Sequence, residues 1–232
     1  MLAWNTASGY KIYQIDGNSK SYVVNSGNIF FMVDTGKKSN WNELQTKLNQ
    51  IGVTQTNLKA LVLTHAHYDH VENAYRIKNK YETAIIIHKL ESEYLESGRS
   101  SKVGFPQIKN PKFKEFIEKI ITGFLRYKPV KPDILTEEDY DLTELGFKKC
   151  RIIRTAGHTM GSVCVVIDNE IVITGDTMIG INDITLPWFF VSKEELLKSR
   201  KKILDTGSRI YLPAHGIAVM RELLVKNYMK LS

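Results

Sequence analysis

Apolar residues in this chain come in short runs that end in Gly, Asn or Ser, a pattern typical of β-strands joined by tight turns. Near the N-terminus the pattern predicts three strands, over Tyr10–Ile15, Ser21–Ser26 and Asn28–Thr35. Asp168-Asn169 between two apolar runs predicts a hairpin turn. Further runs predict strands over Leu58–Leu63, Thr83–Ile87, Cys150–Thr155, Val163–Ile167, Ile171–Gly175 and Arg209–Pro213.

Helical periodicity appears in longer segments between these strands. Asn40 with Glu43 is a capping pattern for a helix over Trp41–Gln50. Ser192 with Glu195 is a second such pattern, opening a helix that runs to Asp205. A last helix is predicted over residues 218–231, with one apolar side that we expect to cover a sheet face.

In the segment Pro111–Tyr127 apolar residues recur at steps of three and four, which predicts a helix with one broad apolar face. Two interpretations stay open. The helix packs on the rest of the fold, or it is a lid or dimer element whose aromatic face borders a substrate pocket. Leu186–Phe190 is a second candidate pocket wall, and Phe116 and Trp188 are the residues whose substitution would test the pocket.

Composition is that of a single globular unit. The chain has 232 residues, of which 43% are hydrophobic and 25% charged, so we expect one domain over residues 1–232 with a helical insert at about 89–132. The absence of a run of about 18 apolar residues argues against a membrane span. Since the N-terminus lacks the pattern of a secretory signal, and Cys150 and Cys164 have no recognisable pairing, the sequence predicts a reduced, cytoplasmic protein.

The net charge of +7 raises the question of a polyanionic partner. The lysines are distributed along the chain, and no basic stripe interleaved with aromatic residues is present. We therefore do not expect nucleic acid as a partner. A general positive field is compatible with an anionic small-molecule substrate.

Candidate chemistry is concentrated in Thr64–His70, where three histidines and one aspartate directly follow a predicted strand. His65 and His67 lie two residues apart on extended backbone, so their side chains point the same way. The turn that follows can bring Asp69 and His70 to a neighbouring position. Because a metal such as zinc takes about four ligands, this spacing predicts a metal site, and two metals would need donors from elsewhere in the chain.

Three later segments each place one more candidate ligand at the end of a predicted strand, next to a glycine. These ligands are His158, Asp176 and His215, and together with the first segment they account for five of the six histidines. Histidines scattered through a core or over a surface would not all lie at strand ends. His88 ends a strand without a partner motif, and we interpret it as a strand-end residue rather than a ligand.

In order along the chain, the motifs His-x-His-x-Asp-His, Gly-His, Gly-Asp and Ala-His-Gly resemble those of the metallo-β-lactamase superfamily of hydrolases. The resemblance runs from about Asp34, at the position of the family's N-terminal structural aspartate, to His215. It implies an α/β fold, a four-layer αββα sandwich, with a dinuclear metal centre at one edge. Carried over by position, one metal would be bound by His65, His67 and His158 and the other by Asp69, His70 and His215, with Asp176 bridging both.

Departures from the family pattern lie beside these ligands. Val71-Glu72-Asn73 stands where many members have glycines, and Ala156 and Met160 stand where prolines are frequent. Asp176 occupies the position where β-lactamases of this fold usually have Cys or Ser, which argues against antibiotic hydrolysis. His67 replaces the Glu of the oxygen-reducing diiron members, which argues against redox chemistry.

The resemblance implies hydrolysis of a carboxylic ester, thioester or lactone, as in the glyoxalase-II-like and lactonase branches. A hydroxide bridging the two metals would attack, and Asp69 would aim it. A phosphodiesterase or nuclease of the same fold is one alternative, although the exosite segments of the tRNA-processing relatives are not recognisable. A non-enzymatic metal-bearing sensor is another, but a degenerate site would be expected to have lost at least one ligand.

The cofactors implied are two divalent metal ions. A site rich in His and carboxylate suits zinc first, and also iron or manganese. The partner expected is a small-molecule substrate, with no membrane partner, and a homodimer is left open.

Overall fold

The computed structural model describes residues 1–181 and 183–231, and their side chains except at residues 114, 183–185 and 231. Two β-sheets pack face to face, and helices cover the outer face of each sheet. The α/β fold is therefore a four-layer αββα sandwich, as the resemblance implied.

The first sheet has seven strands, whose spatial order is the same as their order in the chain. Strands β1 to β4 pair antiparallel, and β4 to β7 pair parallel. The carboxyl ends of the parallel strands meet at one edge, the usual position of a site in an α/β sheet. The strands are β1 Ala3–Asn5, β2 Lys11–Ile15, β3 Ser21–Ser26, β4 Ile29–Val33, β5 Leu58–Val62, β6 Ala84–His88 and β7 Ile134–Thr136.

The second sheet has six strands in the spatial order β15-β14-β11-β10-β9-β8. A small hairpin of β12 and β13 forms a separate pair, and Gly180 of β12 is hydrogen-bonded to His215 and Ile217, just after β14. Asp168 and Asn169 connect β10 to β11 with φ of 56° and 51°, the backbone that a tight hairpin turn requires. The strands are β8 Tyr140–Asp141, β9 Cys150–Arg154, β10 Val163–Ile167, β11 Ile171–Gly175, β12 Ile179–Ile181, β13 Asp183–Thr185, β14 Ile210–Pro213 and β15 Val219–Met220.

Seven α-helices complete the described part of the chain. The bounds predicted for the first and the sixth are confirmed, and the Ser192 hydroxyl caps the sixth by accepting a hydrogen bond from the Glu195 amide at 3.3 Å. The helices are α1 Trp41–Gln50, α2 Tyr68–Val71, α3 Ala74–Tyr81, α4 Lys89–Ser97, α5 Pro111–Phe124, α6 Lys193–Asp205 and α7 Arg221–Leu231.

Two local predictions are wrong. Asn40 does not cap α1 with its side chain, because it ends a short 3-10 turn over Lys38–Asn40 and its amide oxygen accepts from the Ser39 hydroxyl instead. The last helix begins at Arg221 rather than at Ala218. Val219–Met220 is a strand, since the free edge of β14 offers it hydrogen-bond partners and long-range pairing overrides helical periodicity there.

Three apolar clusters hold the layers together. The largest lies between the two sheets, where the rings of Phe31 and Phe147 meet edge to face at 4.7 Å. The second lies between the first sheet and its helices, and the third between the second sheet and α6 with α7, where Leu224 is fully buried. The prediction that the last helix covers a sheet face is therefore confirmed. In residues 1–181 and 183–231 no helix has the length and apolar character to cross a membrane.

Candidate metal centre

The candidate ligands converge at one edge of the sandwich, where strands of both sheets end. The segment that contains His65, His67, Asp69 and His70 leaves β5, and His158 lies in the loop between β9 and β10. Directly after β11 comes Asp176, and His215 follows β14 by two residues. The structure thus brings all seven residues of the sequence motifs together from four separate segments.

One group consists of His65, His67 and His158, each of them buried. His67 Nδ1 lies 2.9 Å from His65 Nε2 and 3.0 Å from His158 Nε2. Three ring nitrogens that face one another this closely form a small concave set of donors, which can hold one cation.

The other group consists of Asp69, His70 and His215, at the more open side of the cluster. His215 Nε2 lies 3.5 Å from Asp69 Oδ2. The Asp176 carboxylate lies between the groups, since Oδ2 is 3.5 Å from His158 Nε2 and 3.6 Å from His215 Nε2. Among the described residues, Asp176 is therefore the carboxylate with distances of this kind to both groups.

Two buried atoms in this cluster lack a hydrogen-bond partner among the described residues. They are His70 Nε2 and Asp176 Oδ1, which lie 3.5 Å apart. A buried polar atom without a partner costs about 1–3 kcal/mol, and more if it is charged. A cation bound between these atoms would remove that cost, so the cluster fits a divalent metal by its donor chemistry as well as by its shape.

Each of three histidines uses its second ring nitrogen outside the cluster. His158 Nδ1 donates to the Phe189 carbonyl at 2.8 Å, and His67 Nε2 donates to the Lys102 carbonyl at 3.3 Å. His70 Nδ1 lies 2.8 Å from a carboxylate oxygen of Asp34. In His67 and His158 these outer bonds place the proton on the outward nitrogen, so the inward nitrogen keeps a free lone pair, as a metal ligand requires. In His70 the bond to Asp34 fixes the orientation of the ring, with Nε2 towards Asp176.

Asp34 connects the two groups. Besides His70, its carboxylate accepts from the Thr64 amide at 2.8 Å and from the Thr64 hydroxyl at 2.7 Å. That hydroxyl lies 3.1 Å from His65 Nδ1 and, with its own proton committed to Asp34, accepts from the imidazole. One buried aspartate thus orients a histidine of each group, and its φ of 57° shows that its backbone is held in the left-handed region.

Glu91 of α4 is a buried residue beside the site that the sequence motifs do not reveal. Its carboxylate accepts from the Ala66 amide at 2.9 Å and from the Gly161 amide at 3.2 Å. Ala66 lies between His65 and His67, and Gly161 follows His158, so Glu91 joins the two loops of the first group. In the sequence, Glu91 is marked only by its position shortly after the strand that ends at His88. No motif or spacing indicates that it lies beside the candidate metal site.

Electrostatics keep the first group neutral near pH 7. Burial, with repulsion from neighbouring imidazoles, lowers the pKa of His67 to about 3 and that of His65 well below its usual range. Burial likewise lowers the pKa of His158. A neutral imidazole is the form that binds a metal.

The second group behaves differently because carboxylates surround it. Burial disfavours a charged imidazole, but Asp176, Asp34 and Asp69 outweigh that effect and raise the pKa of His70 well above its usual range. Burial would raise the pKa of Asp69, yet His70 and His215 lower it to about 2. Asp69 is therefore an ionised carboxylate at neutral pH.

A cleft of about 320 Å³ opens onto the cluster. Trp188 borders it, as the sequence predicted for Leu186–Phe190. Phe116 is not among the lining residues and is 58% exposed, so its predicted pocket role is wrong. The apolar part of the lining consists of Val103, Phe105, Ile121, Leu125, Ile179, Pro187, Trp188 and Phe189.

Helix α5 combines parts of both interpretations offered for it. Ile121 and, just after the helix, Leu125 border the cleft, whereas Phe113, Phe116 and Phe124 point to solvent. The helix therefore lies at the cleft, but through aliphatic side chains and not through its aromatic face. His88, as expected, is away from the cluster: its Nδ1 accepts from the Leu90 amide and caps α4.

Comparison with known proteins gives the same family for sequence and fold. Residues 15–215 match the model of the metallo-β-lactamase superfamily. A probable metallo-hydrolase of Methanocaldococcus jannaschii is 30% identical over 163 residues, 69% of this chain and 68% of that protein. A probable metallo-hydrolase of Streptococcus pyogenes is 26% identical over 229 residues, 93% of this chain and 88% of that protein.

A solved structure shows the same fold at lower identity. The metallo-β-lactamase family protein of Thermus thermophilus superposes with a TM-score of 0.67 at 16% identity, over 96% of this chain and 79% of that one. Together with the names of the sequence relatives, the cluster of His and Asp donors supports a metal-dependent hydrolase. The chain belongs to the metallo-β-lactamase superfamily.

Proposed function

We propose that this protein hydrolyses a carboxylic ester, thioester or lactone with the help of two divalent metal ions, zinc by preference. The observation that carries the proposal is the position of the donor cluster, at the end of a cleft whose lining is mainly apolar. A carbonyl compound with an apolar body fits such a cleft, because the body removes apolar surface from water while the carbonyl meets the polar end.

The residues that would hold the metals are those of the two groups. His65, His67 and His158 would bind one ion and Asp69, His70 and His215 the other, while the carboxylate of Asp176 would serve both. When bound, such metals activate water and polarise a carbonyl oxygen as Lewis acids. Mixed imidazole and carboxylate donors suit zinc, and also iron or manganese.

The remaining chemistry belongs to the protein itself. Asp69 is ionised and lines the cleft, so it can accept a hydrogen bond from the attacking water and hold it towards the carbonyl carbon. Asp34 orients His70 directly and His65 through the Thr64 hydroxyl, so that the other ring nitrogen of each faces the cluster. The apolar side chains around the cleft exclude other water molecules from the carbonyl.

The lining favours an acyl substrate over a phosphodiester. Among the described residues that line the cleft, none is Lys or Arg, whereas enzymes that transfer phosphoryl groups commonly place such cations on the phosphate oxygens. The imidazoles and carboxylates at the end of the cleft are enough for a neutral ester or thioester.

The test is a comparison of initial rates for the metal-loaded protein on a lactone, an acyl thioester and bis(p-nitrophenyl) phosphate, with Asp176→Ala as the blank. We expect turnover of a carbonyl substrate and loss of that turnover in Asp176→Ala. Turnover of the phosphodiester alone would replace the proposal by phosphodiester hydrolysis. If none of the three substrates reacts although both metals bind, a non-enzymatic metal-bearing protein becomes the better account.

A further inference from the structure

Helix α5 carries two adjacent apolar stripes with different environments. The inner stripe, Ile117 and Ile121 followed by Leu125 just after the helix, is half-buried. The outer stripe consists of Phe113, Phe116, Ile120 and Phe124, with exposed fractions of 54%, 58%, 40% and 83%. Large apolar side chains gathered on one exposed helix face mark a binding surface more often than scattered single ones do.

The same part of the chain carries most of the net charge. Residues 102–131 contain seven Lys and one Arg against two Glu, a net charge of +6 out of the +7 of the whole chain. Although lysines occur throughout the sequence, acidic residues offset them elsewhere. Lys109 and Lys112, which flank the start of α5, are both exposed. The helix itself has a net charge of only +1, from three Lys and two Glu, and the rest of the positive charge lies in the residues on either side of it. Helix and flanks together form a basic amphipathic segment with an exposed aromatic stripe.

The cleft opens beside this element. Trp188 and Phe189 border the cleft and are 60% and 40% exposed. The Gln107 side chain donates to the Trp188 carbonyl at 2.8 Å, and the rings of Phe105 and Phe189 lie 5.1 Å apart. The segment that leads into α5 is therefore attached to the aromatic rim of the cleft.

We propose that α5 docks this protein onto an anionic lipid surface, with the outer stripe inserted at the level of the headgroups. Helices that lie in a membrane interface combine an apolar face, often aromatic, with Lys and Arg near anionic headgroups. The docked helix places the rim of the cleft next to the membrane, where apolar acyl compounds are concentrated. The proposal replaces the sequence-based expectation of no membrane partner, because the exposed stripe of α5 becomes apparent only in the fold. This docking needs no membrane-spanning helix, and it does not depend on the reaction proposed above.

A second copy of the chain is a less favourable occupant of the same face. A symmetric contact through α5 would bring two segments of charge +6 together, and like charges that face each other disfavour association. Anionic lipid offers the opposite charge and an apolar layer together, which matches both features of the helix.

The test is co-sedimentation of the protein with vesicles of phosphatidylcholine alone and of phosphatidylcholine with an equal amount of phosphatidylglycerol. We expect binding to the mixed vesicles, weakened by added salt, and little binding to phosphatidylcholine alone. Equal binding to both vesicles, or no binding to either, would overturn the proposal.

Two pairs of matched variants separate the apolar and the electrostatic contributions. The double variant Phe116→Ser with Phe124→Ser should weaken binding to the mixed vesicles about tenfold or more. Its control, Leu2→Ser with Met229→Ser, changes exposed apolar residues elsewhere and should not weaken binding.

The electrostatic contribution is tested by Lys109→Glu with Lys112→Glu, which should weaken binding to the mixed vesicles by at least about tenfold. Lys148→Glu with Lys230→Glu makes the same change in net charge away from α5 and should have a much smaller effect.

The same variants also test whether a change in the cleft, a loss of folding or dimerisation through α5 explains the result. None of the four residues changed in α5 and its approach lines the cleft, so hydrolysis of a water-soluble substrate should be unchanged if the variants are folded. Circular dichroism checks the folding. If sedimentation velocity shows a dimer that dissociates in Phe116→Ser with Phe124→Ser, a second copy covers the stripe and the lipid proposal is wrong.

Discussion

The edge that carries the candidate metal ligands and helix α5 border the same cleft, and they are built in opposite ways. At the edge, buried polar atoms are held by directed bonds: Asp34 alone accepts three, and Glu91 joins two loops. At α5, no described side chain within the helix is buried, and the aromatic residues face solvent.

This difference in construction suggests that the edge serves the reaction and that α5 serves the recognition of substrates and surfaces. Donors that must hold a cation have to be placed within tenths of an ångström, which requires a fixed outer layer of hydrogen bonds. A surface that meets apolar acyl groups or lipid needs area and adaptability more than exact placement. We therefore expect changes at the edge to affect metal content and rate, and changes at α5 to affect which substrates and surfaces are bound.

The largest effect is expected from Asp176→Ala. This change removes a carboxylate that lies 3.5 Å from His158 and 3.6 Å from His215, so metal content and rate should fall together. The rate should be at least about a hundredfold lower, a larger loss than is usual for a residue that only orients a ligand. Metal analysis by mass spectrometry and initial rates measure the two quantities. A variant that keeps both metals and full activity would remove Asp176 from the site.

Lowering the pH should destabilise the metal-free protein by acting on three imidazoles at once. The pKa values of His65, His67 and His158 are lowered in the folded state by burial. Below about pH 6.5 the unfolded chain therefore binds protons that the folded chain does not, and the free energy of unfolding falls as the pH decreases towards about 3. His70 does not offset this loss, because its raised pKa keeps it protonated in both states over that window.

Urea unfolding of the metal-free protein at several pH values measures this dependence. The substitution His67→Gln should make the curve flatter between about pH 6.5 and 3, since one of the three imidazoles is removed. A free energy of unfolding that stays constant across this window would show that the imidazoles are not held neutral by the fold.

A smaller effect is expected from Asp34→Asn. The amide keeps the size of the side chain but loses the charge that orients Thr64 and His70, and partners of this kind are worth about 10–100-fold in metal affinity or activity. Metal affinity by competition with a chelator is the measurement. Asp133→Asn is the matched control, because its carboxylate pairs with Lys78 away from the cluster, and it should leave metal affinity unchanged.

Glu91→Gln should have an effect near the lower end of that range. One of its two oxygens becomes an NH2 group, which leaves the amide of Ala66 or Gly161 without an acceptor, at a cost of about 1–3 kcal/mol. We expect weaker binding of one metal, the one near His65, His67 and His158, with the other less affected. Equal loss at both sites, or loss of folding without selective metal loss, would contradict a role in joining the two loops.

The smallest effect is expected at the apolar lining. Ile121→Ala enlarges the cleft and should raise KM for a substrate with an apolar acyl chain by a few fold, with little change in kcat, because the half-buried side chain loses contact worth about one CH2 group, ~0.8 kcal/mol. Phe116→Ala on the same helix is the matched control, since Phe116 does not line the cleft. A rise in KM for both variants alike would mean that α5 acts as a mobile lid.

Much of this molecule could be predicted from sequence where the determinants are local. The bounds of α1 and α6, the Asp168-Asn169 turn and the position of each ligand at a strand end follow from short patterns. Val219–Met220 could not be predicted, because the edge of β14 that makes it a strand comes from pairing rather than from its own residues.

The groups that hydrogen-bond to the candidate ligands and their loops could not be predicted for the same reason, because they are brought there by tertiary contacts. In the sequence Glu91 looks like any acidic residue of a helix. Its role depends on the amides of Ala66 and Gly161, which only the folded chain places beside it. The carbonyls of Lys102 and Phe189 that orient histidines are backbone atoms, so residue type gives no signal for them. The direction in which the aromatic face of α5 points was likewise undetermined, since periodicity identifies an apolar stripe but not its neighbour.

Hydrolysis by two bound metal ions is tested most directly by a metal titration of the chelator-treated protein, with bound zinc per chain and the rate of hydrolysis of a lactone or acyl thioester measured on the same samples. We expect that chelation abolishes hydrolysis, that the rate returns as two zinc ions bind, and that His158→Ala binds fewer ions. Full hydrolysis by the metal-free protein, or an unchanged zinc count in His158→Ala, would contradict it.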